Sequence, residues 1–454
     1  MKKVVVFGAG LVAKPGIQYL LDQGYQVTVA TRTVSKAKAI VGDAPNGKAM
    51  AFDISKESLE ETGLIQDCDL AISLLPYKFH PEIAKACIKY KKHMATTSYV
   101  SDEMQALDEE AKKAGIILLN ECGVDPGTDH MSAMRVIHHV EENGGKIVSF
   151  RSYCGGLPAP EDNDNPMGYK FSWSPKGVLL AGRNPAKYLE YGELVEIRSG
   201  ELFRHFWPMK VKDMIFEAYP NRNSMPYKEL YGIKAAETMF RGTLRYPGWC
   251  ETIQGMFDLG LLDMDERDDL EGLSWKQLLA KLLTEKLGKI LEEDLSDKMD
   301  AFTKDIKEKV VLYLRIAEDS EIINRMNWLG FFKDKKIPKE NNVLDVISDQ
   351  FMEKLGTFKP EERDMLIMLH EFIAEYPDRK EKITSTMLEF GVPNGDSAMA
   401  RTVSLPVAIA VKMILEGEIT GKGIVIPIEP EVYNPILDEL EEMDIVFEEK
   451  TITL

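Results

Sequence analysis

The sequence predicts an α/β protein: a Rossmann-like doubly wound parallel sheet, joined to a mixed α+β domain that carries a helical insertion. Three observations lead there. An apolar run, Val4 to Phe7, enters a glycine-bearing turn and then a helical pattern. Strand-like runs alternate with helical patterns up to about Asn120, which is the signature of a parallel sheet. After Val140 the alternation is lost, and from Gly248 to about Glu389 helical periodicity dominates. The expected organisation is therefore a dinucleotide-binding domain over 1–124, completed by about 394–454, a mixed domain over 125–247, and a helical insertion over 248–393.

The opening turn reads Gly8-Ala9-Gly10-Leu11-Val12-Ala13. Gly8 permits the tight turn, Gly10 lets a pyrophosphate approach the backbone, and small Ala13 lets the next helix pack closely with its N-terminus toward the phosphates. The second strand, Gln26 to Ala30, ends in Thr31-Arg32-Thr33, where a site preferring NAD usually places an acid on the ribose 2′-hydroxyl. A guanidinium at Arg32 suits a 2′-phosphate, so the motif reads as an NADP site, with NAD as the alternative.

The remaining strands of this half are expected at Ala49 to Phe52, Leu70 to Leu75, His93 to Thr97 and Ile116 to Leu119. Ligands of doubly wound sheets gather beyond the carboxyl ends of the strands. Gly8, Gly10, Leu11, Val12, Thr31, Arg32, Thr33, Asp53, Ile54, Leu75, Thr97 and Val124 fall there and are the expected cofactor contacts. Asp53 and Ile54 would lie near the adenine, and the later strand ends near the nicotinamide.

Beyond Val140, Lys146 to Tyr153 reads as a strand, and Cys154 to Asp162 as a long polar turn. Tyr169 to Trp173, Leu194 to Ile197 and Met239 to Leu244 are further strand candidates without regular helical alternation. Trp275 to Leu291 and Met299 to Ile316 space Leu, Ile and Phe three and four apart between Lys and Glu, as packing helices do. Met399 to Ala410 opens a small-residue helix, and Gly423 to Pro427 a strand able to rejoin the first sheet.

Composition bounds the function. With 454 residues and 44% hydrophobic content the chain can bury more than one core. A net charge of -18 argues against nucleic acid, whose backbone needs clustered Lys and Arg. Lys2-Lys3 before Val4-Val5-Val6 is signal-like, but Gly8, Gly10, Lys14 and Pro15 break the apolar run, so no signal peptide is expected. No stretch reads as the roughly 20 apolar residues of a membrane span. Five scattered cysteines lack metal-ligand spacing, and they are expected as reduced thiols in a cytoplasm. Asp263, Asp265, Asp268 and Glu271 lack the glycine of an EF-hand loop and read as a solvated acidic face, so no metal is expected.

Arg222 and Arg245 sit beside prolines, aromatics and hydroxyls, and guanidinium forks hold carboxylates bidentately. Each is also a candidate surface charge or structural ion-pair partner. Asp125-Pro126 reads equally as a helix N-cap followed by Pro or as part of a site. Tyr99 and Cys154 adjoin hydroxyl or glycine clusters, and either could pack or react. His80 and His130 are candidate proton carriers with a structural alternative.

Several of these segments carry a family resemblance. Gly8 to Pro15 (GAGLVAKP), Ser73 to Pro81 (SLLPYKFHP), Thr97 to Ser101 (TSYVS), Asn120 to His130 (NECGVDPGTDH) and Ser152 to Ser174 (SYCGGLPAPEDNDNPMGYKFSWS) resemble the glutamate-forming saccharopine dehydrogenases. So do Tyr219 to Ser224, Gly242 to Tyr246, Trp328 to Gly330 and Met399 to Pro406. The animal bifunctional lysine-degrading proteins are similar in their C-terminal part; the lysine-ketoglutarate reductase part that precedes it there is expected to have no counterpart here.

The resemblance implies interconversion of saccharopine with L-glutamate and 2-aminoadipate 6-semialdehyde through an imine, with hydride exchanged with NADP, in lysine metabolism. It implies that Ser98, Tyr99, Asp125, Arg222, Thr243, Arg245 and Tyr246 contact saccharopine and that Ser174 touches the cofactor. Asp125, Tyr99 and Cys154 are the expected catalytic groups, and a homodimer the expected assembly. Two rivals are a reductive-condensing dehydrogenase such as carboxynorspermidine synthase, whose diamine would want carboxylates where this chain has Arg222 and Arg245, and an inactive nucleotide sensor.

Overall fold

The computed structural model describes residues 1–288 and 306–454, which divide into two units. The first comprises Met1–Cys154, Glu229–Ala236 and Pro360–Leu454; the second comprises Gly155–Lys228 and Glu237–Lys359.

The first unit holds a seven-stranded sheet in the order β15-β6-β5-β4-β1-β2-β3, with β1 Lys3–Phe7, β2 Gln26–Thr31, β3 Gly47–Ala51, β4 Leu70–Ser73, β5 His93–Thr96, β6 Ile117–Leu119 and β15 Gly423–Val425. Every neighbouring pair is parallel, with Val4 registered on Val27 on one side and Leu70 on the other. Val4, Val5, Val6 and Phe7 are almost wholly buried, as a strand covered by helices on both faces must be. The order leaves β1 beside both β2 and β4, so the chain reverses direction across the sheet beyond Phe7, where the glycine turn lies.

The helix Ala398–Glu416 packs on the first helix, Lys14–Asp22, at Gly16. The Gly16 N–H donates to Ser404 Oγ at 2.9 Å, and a Cβ at Gly16 would lie 2.5 Å from the Ser404 carbonyl oxygen. This helix corrects the expectation that no segment approaches a membrane span. By length and composition it is apolar enough, with a mean hydropathy of 1.6, but 78% of the stretch is buried inside the protein, so it serves as a core helix. Arg401, Thr402, Ser404 and Lys412 break its apolar run in the sequence.

A second set of strands completes this unit. β13 (Asp364–Glu375) and β14 (Lys380–Phe390) form a long antiparallel hairpin, and β16 (Phe447–Thr453) pairs with β14. The hairpin falls where helices were expected. Met365 to Leu369 is a continuous apolar run of no decisive period, whereas Ile383, Ser385, Met387 and Glu389 alternate inward at period two and select a strand.

β7 (Lys146–Pro158) runs out of the first unit into the second, continuing as strand through the Cys154-Gly155-Gly156 stretch that reads as a turn. A Cβ at Gly155 would sit 2.9 Å from Leu244 Cβ, so glycine there reflects close strand packing rather than a turn.

The second unit contains β8 (Ala186–Glu190), β9 (Glu193–Ile197), β10 (Trp207–Val211), β11 (Met214–Pro220) and β12 (Thr238–Arg245), all in antiparallel pairings. Tyr169 to Trp173 is not a strand; Phe171 makes only an isolated bridge to Thr357. Helices Trp249–Asp258, Trp275–Gly288, Ile306–Leu314, Glu321–Leu329 and Val343–Leu355 follow. The parts of the expected helices Trp275 to Leu291 and Met299 to Ile316 that fall in 289–305 lie outside the described residues.

Candidate functional site

At the end of β1, Gly8 has φ +111° and its N–H donates to Ala30 O at 2.9 Å. A Cβ there would press on the Leu74 backbone at 3.1 Å, so the turn needs glycine. A Cβ at Gly10 would meet nothing within 4 Å: the space above the turn is open. Leu11 is exposed and Val12 half-buried on the same turn. The helix that follows begins without a side-chain cap and without an acid in its first turn, leaving its positive end for an anionic ligand.

Arg32, Thr33, Ala51, Phe52, Asp53, Lys56 and Glu57 line an open pocket of about 460 Å³ beyond β2 and β3. Asp53 folds back on its own turn, accepting from the Ser55 hydroxyl at 2.7 Å and amide at 3.1 Å, with Lys56 Nζ at 3.6 Å. The Ser55 hydroxyl, with help from Lys56 and Arg32, holds this carboxyl below its ordinary range. Arg32 is exposed on the lining of this pocket, where a guanidinium fits a ribose 2′-phosphate. Thr31, Ile54, Leu75 and Thr97 are half-buried at or just beyond neighbouring strand ends, and Val124 is buried.

Next along the sheet edge come the loops after β5 and β6. The Tyr99 phenol donates to Asp125 Oδ1 at 2.8 Å. Ser98 Oγ lies 2.8 Å from His80 Nε2, and His80 Nδ1 lies 2.8 Å from Ser73 Oγ. His80 is buried, and desolvation lowers its pKa to about 4, so it stands neutral behind Ser98 rather than acting as a proton carrier near pH 7. His130 is likewise buried, between Glu121 Oε2 at 2.7 Å and the Tyr231 hydroxyl at 2.5 Å.

One reading of Asp125 is corrected here. The helix spans Thr128–Glu142 with Gly127 as its cap, and no side chain caps it; Asp125 stands one turn earlier, across a cis Asp125-Pro126 bond. Asp129 Oδ1 instead accepts from Gly127 N–H at 2.6 Å, so Asp125 is not consumed by the helix end.

In the second unit, Arg245 closes β12 and is buried, its guanidinium over the rings of Tyr169 and Trp249 at 5.1 and 5.6 Å. Glu217, its register partner on β11, accepts from Gly248 and Cys250 N–H at 2.6 and 2.8 Å. Thr243, half-buried, is registered on Tyr219, whose phenol burial pushes up to about 12. Tyr246 donates to Pro158 O at 3.0 Å. Arg222 is exposed with φ +56°, and its carbonyl accepts from Lys187 N–H at 2.9 Å. Ser174 caps the short helix Pro175–Ala181, its Oγ accepting from Gly177 N–H at 3.2 Å. Cys154 is buried on β7 at the last position of the first unit.

The reading of the residues missed Glu121 and Tyr231. Glu121 is a charged residue two positions beyond the apolar run Ile116 to Leu119, and that position was its available signal. Tyr231 reaches the first unit from a short excursion of the chain, Glu229–Ala236, which no local pattern announces.

A parallel doubly wound sheet whose first strand ends in an open glycine turn, with acid, phenol and hydroxyl groups along the same edge, defines a dinucleotide-binding oxidoreductase. Residues 4–119 match the model of the saccharopine dehydrogenase NADP binding domain, and residues 123–446 that of the saccharopine dehydrogenase C-terminal domain. The chain is 42% identical over 459 residues to the saccharopine dehydrogenase [NADP(+), L-glutamate-forming] of Schizosaccharomyces pombe, covering 100% of this chain and 99% of that one. It is 38% identical to the mitochondrial alpha-aminoadipic semialdehyde synthase of Mus musculus, over 98% of this chain and 47% of that one. The apo histidine-tagged saccharopine dehydrogenase (L-Glu forming) of Saccharomyces cerevisiae superposes with a TM-score of 0.85 at 39% identity, covering 100% of both chains. The chain belongs to the saccharopine dehydrogenase family.

Proposed function

We propose that this chain is an NADP-dependent, L-glutamate-forming saccharopine dehydrogenase, interconverting saccharopine and water with L-glutamate and 2-aminoadipate 6-semialdehyde in lysine metabolism. The observation that carries the reading is the end-to-end match to the L-glutamate-forming enzyme of Schizosaccharomyces pombe, reinforced by Arg32 on the lining of the pocket beyond β2 and β3.

Gly8, Gly10, Leu11, Val12 and the positive helix end would hold the pyrophosphate of NADP and Arg32 its 2′-phosphate; once bound, the cofactor would supply the hydride acceptor. The substrate amine must be neutral before its neighbouring C–H can leave as hydride, because only a free lone pair can form the C=N bond. Asp125 is suited to take that proton, and later to return one to the departing glutamate nitrogen. Tyr99, hydrogen-bonded to Asp125, holds the carboxylate in place and orients the water that adds to the imine carbon. Cys154 and Ser98 assist by placing substrate, and Arg222, Arg245, Thr243 and Tyr246 bind its carboxylates. The Arg245 guanidinium, already stacked on two rings, is pre-ordered for such a task. Ser174 joins the cofactor contacts.

The five cysteines are all buried thiols outside any disulfide, which supports a reducing compartment, the cytoplasm. A homodimer is the proposed assembly, the commonest closed form for soluble homo-oligomers; sedimentation at micromolar protein gives one species of twice the chain mass if it holds.

Steady-state assays with saccharopine and each oxidised nicotinamide, following absorbance of the reduced form, test the function. Turnover with NADP and release of glutamate is expected; turnover of a diamine with a semialdehyde instead, or none with saccharopine, would overturn it.

A further inference from the structure

The loops that carry Tyr99 and Asp125 are tied together from behind by a single carboxylate. Glu121, at the end of β6 and with φ +55°, is buried and meets the Tyr99 loop twice: its N–H donates to Ser98 O at 3.0 Å, and its Oε1 accepts from Val100 N–H at 3.0 Å. These two bonds grip the residues on either side of Tyr99. The other carboxylate oxygen, Oε2, lies 2.7 Å from His130 Nε2, in the first turn of the Thr128–Glu142 helix that Asp125-Pro126-Gly127 leads into. His130 Nδ1 in turn lies 2.5 Å from the Tyr231 hydroxyl, and His130 and Tyr231 are both buried.

A carboxylate can only accept, so His130 presents N–H to Glu121, while His130 Nδ1 and the Tyr231 hydroxyl share the hydrogen bond on the other side of the ring. Glu121 thus fastens one catalytic loop to the helix behind the other, through charge-assisted bonds shielded from water, where such bonds are strong and directional.

We propose that Glu121 is a positioning residue for the dehydrogenase reaction: held by His130 and Tyr231, it fixes the Ser98–Val100 loop so that the Tyr99 phenol is delivered onto Asp125. This rests on the reading that Tyr99 and Asp125 serve the chemistry. Glu121 touches neither reacting atom in this role; its effect passes through Tyr99. A network present only to hold the fold together would instead add its loss independently of Tyr99.

The test is a double-mutant cycle of Glu121→Gln and Tyr99→Phe, read by kcat with saccharopine, with NADPH binding followed by fluorescence as the check that the dinucleotide unit is intact. Glu121→Gln alone should lower kcat at least tenfold while NADPH affinity changes less than twofold. In the Tyr99→Phe background the same substitution should cost less than twofold, because the group it positions is already gone. Glu121→Asp, keeping the charge on a shorter arm, should recover part of the loss. Equal losses in both backgrounds, or no loss in the first, would overturn the proposal. If Glu121→Gln unfolds below the assay temperature, His130→Gln is read in the same cycle against the same thresholds. Should Tyr99→Phe alone keep full activity, the underlying reading of Tyr99 fails, an outcome distinct from additive losses in an impaired Tyr99→Phe enzyme.

Discussion

The Tyr99 phenol and Asp125 Oδ1, 2.8 Å apart, join two strand-end loops whose residues lie 26 positions apart in the sequence. Removing the acid removes the proposed proton acceptor. Asp125→Asn should lower kcat by about 100-fold or more, within the usual range for loss of a general acid–base group, and flatten the acidic limb of the kcat pH profile. Near-normal turnover with an unchanged profile would end the assignment.

Arg32, on the lining of the open pocket beyond β2 and β3, makes cofactor choice measurable. Replacing it would remove the proposed charge-assisted contact to phosphate, worth about 1.5–3 kcal/mol. Arg32→Ala should therefore weaken NADP binding by roughly one to two orders of magnitude while moving NAD little, read by calorimetric titration of each.

His80 predicts an acid-side loss of stability. Burial lowers its pKa from 6.5 to about 4, so between those values the unfolded chain takes up a proton that the folded chain refuses. Stability is complete above pH 6.5 and falls as pH drops toward 4, by about 2 kcal/mol at pH 5 from this group. In thermal melts from pH 7.5 to 5, His80→Gln should show a shallower decline of Tm than the parent. A parallel decline would show that the imidazole is not the group responsible.

Gly16 should resist any side chain. A Cβ would intrude on the Ser404 backbone at 2.5 Å, and backbone cannot yield as a flexible side chain does. Gly16→Ala should destabilise by about 1–3 kcal/mol through overpacking, seen as a lowered urea midpoint. Gly24→Ala is the contrast for strain without crowding: its φ is +82° and nothing lies within 4 Å.

The parallel sheet was legible because its central strands are buried on both faces and bounded by turn residues: Val4 to Phe7 and Leu70 to Ser73 announce themselves without reference to distant residues. The glycine turn was legible for the same local reason. The hairpin Asp364–Phe390 was not, since Met365 to Leu369 is apolar at every position and its neighbours decide its form. Strands β10 and β16 carry exposed charged positions that blur alternation, as in Phe447–Thr453, where most residues face outward, and β11 inverts the usual pattern by exposing Ile215 and burying Glu217. In the site, Asp125 and Tyr99 could be named from their loops. That Glu121 and His130 stand behind them depends on contacts across helix and strand, and Tyr231 arrives from about 100 positions away, beyond any local periodicity.

The contact between Gly16 and Ser404 spans 388 positions, and β15 pairs with β6 from a similarly late part of the chain. During synthesis at about 5–20 residues per second, the greasy flank of the first helix therefore waits roughly 20 to 80 s for the segment that will cover it. The nucleotide-binding half leaves the ribosome well ahead of the segments that complete it, and in that interval its uncovered apolar flank is a surface for chaperones to shield.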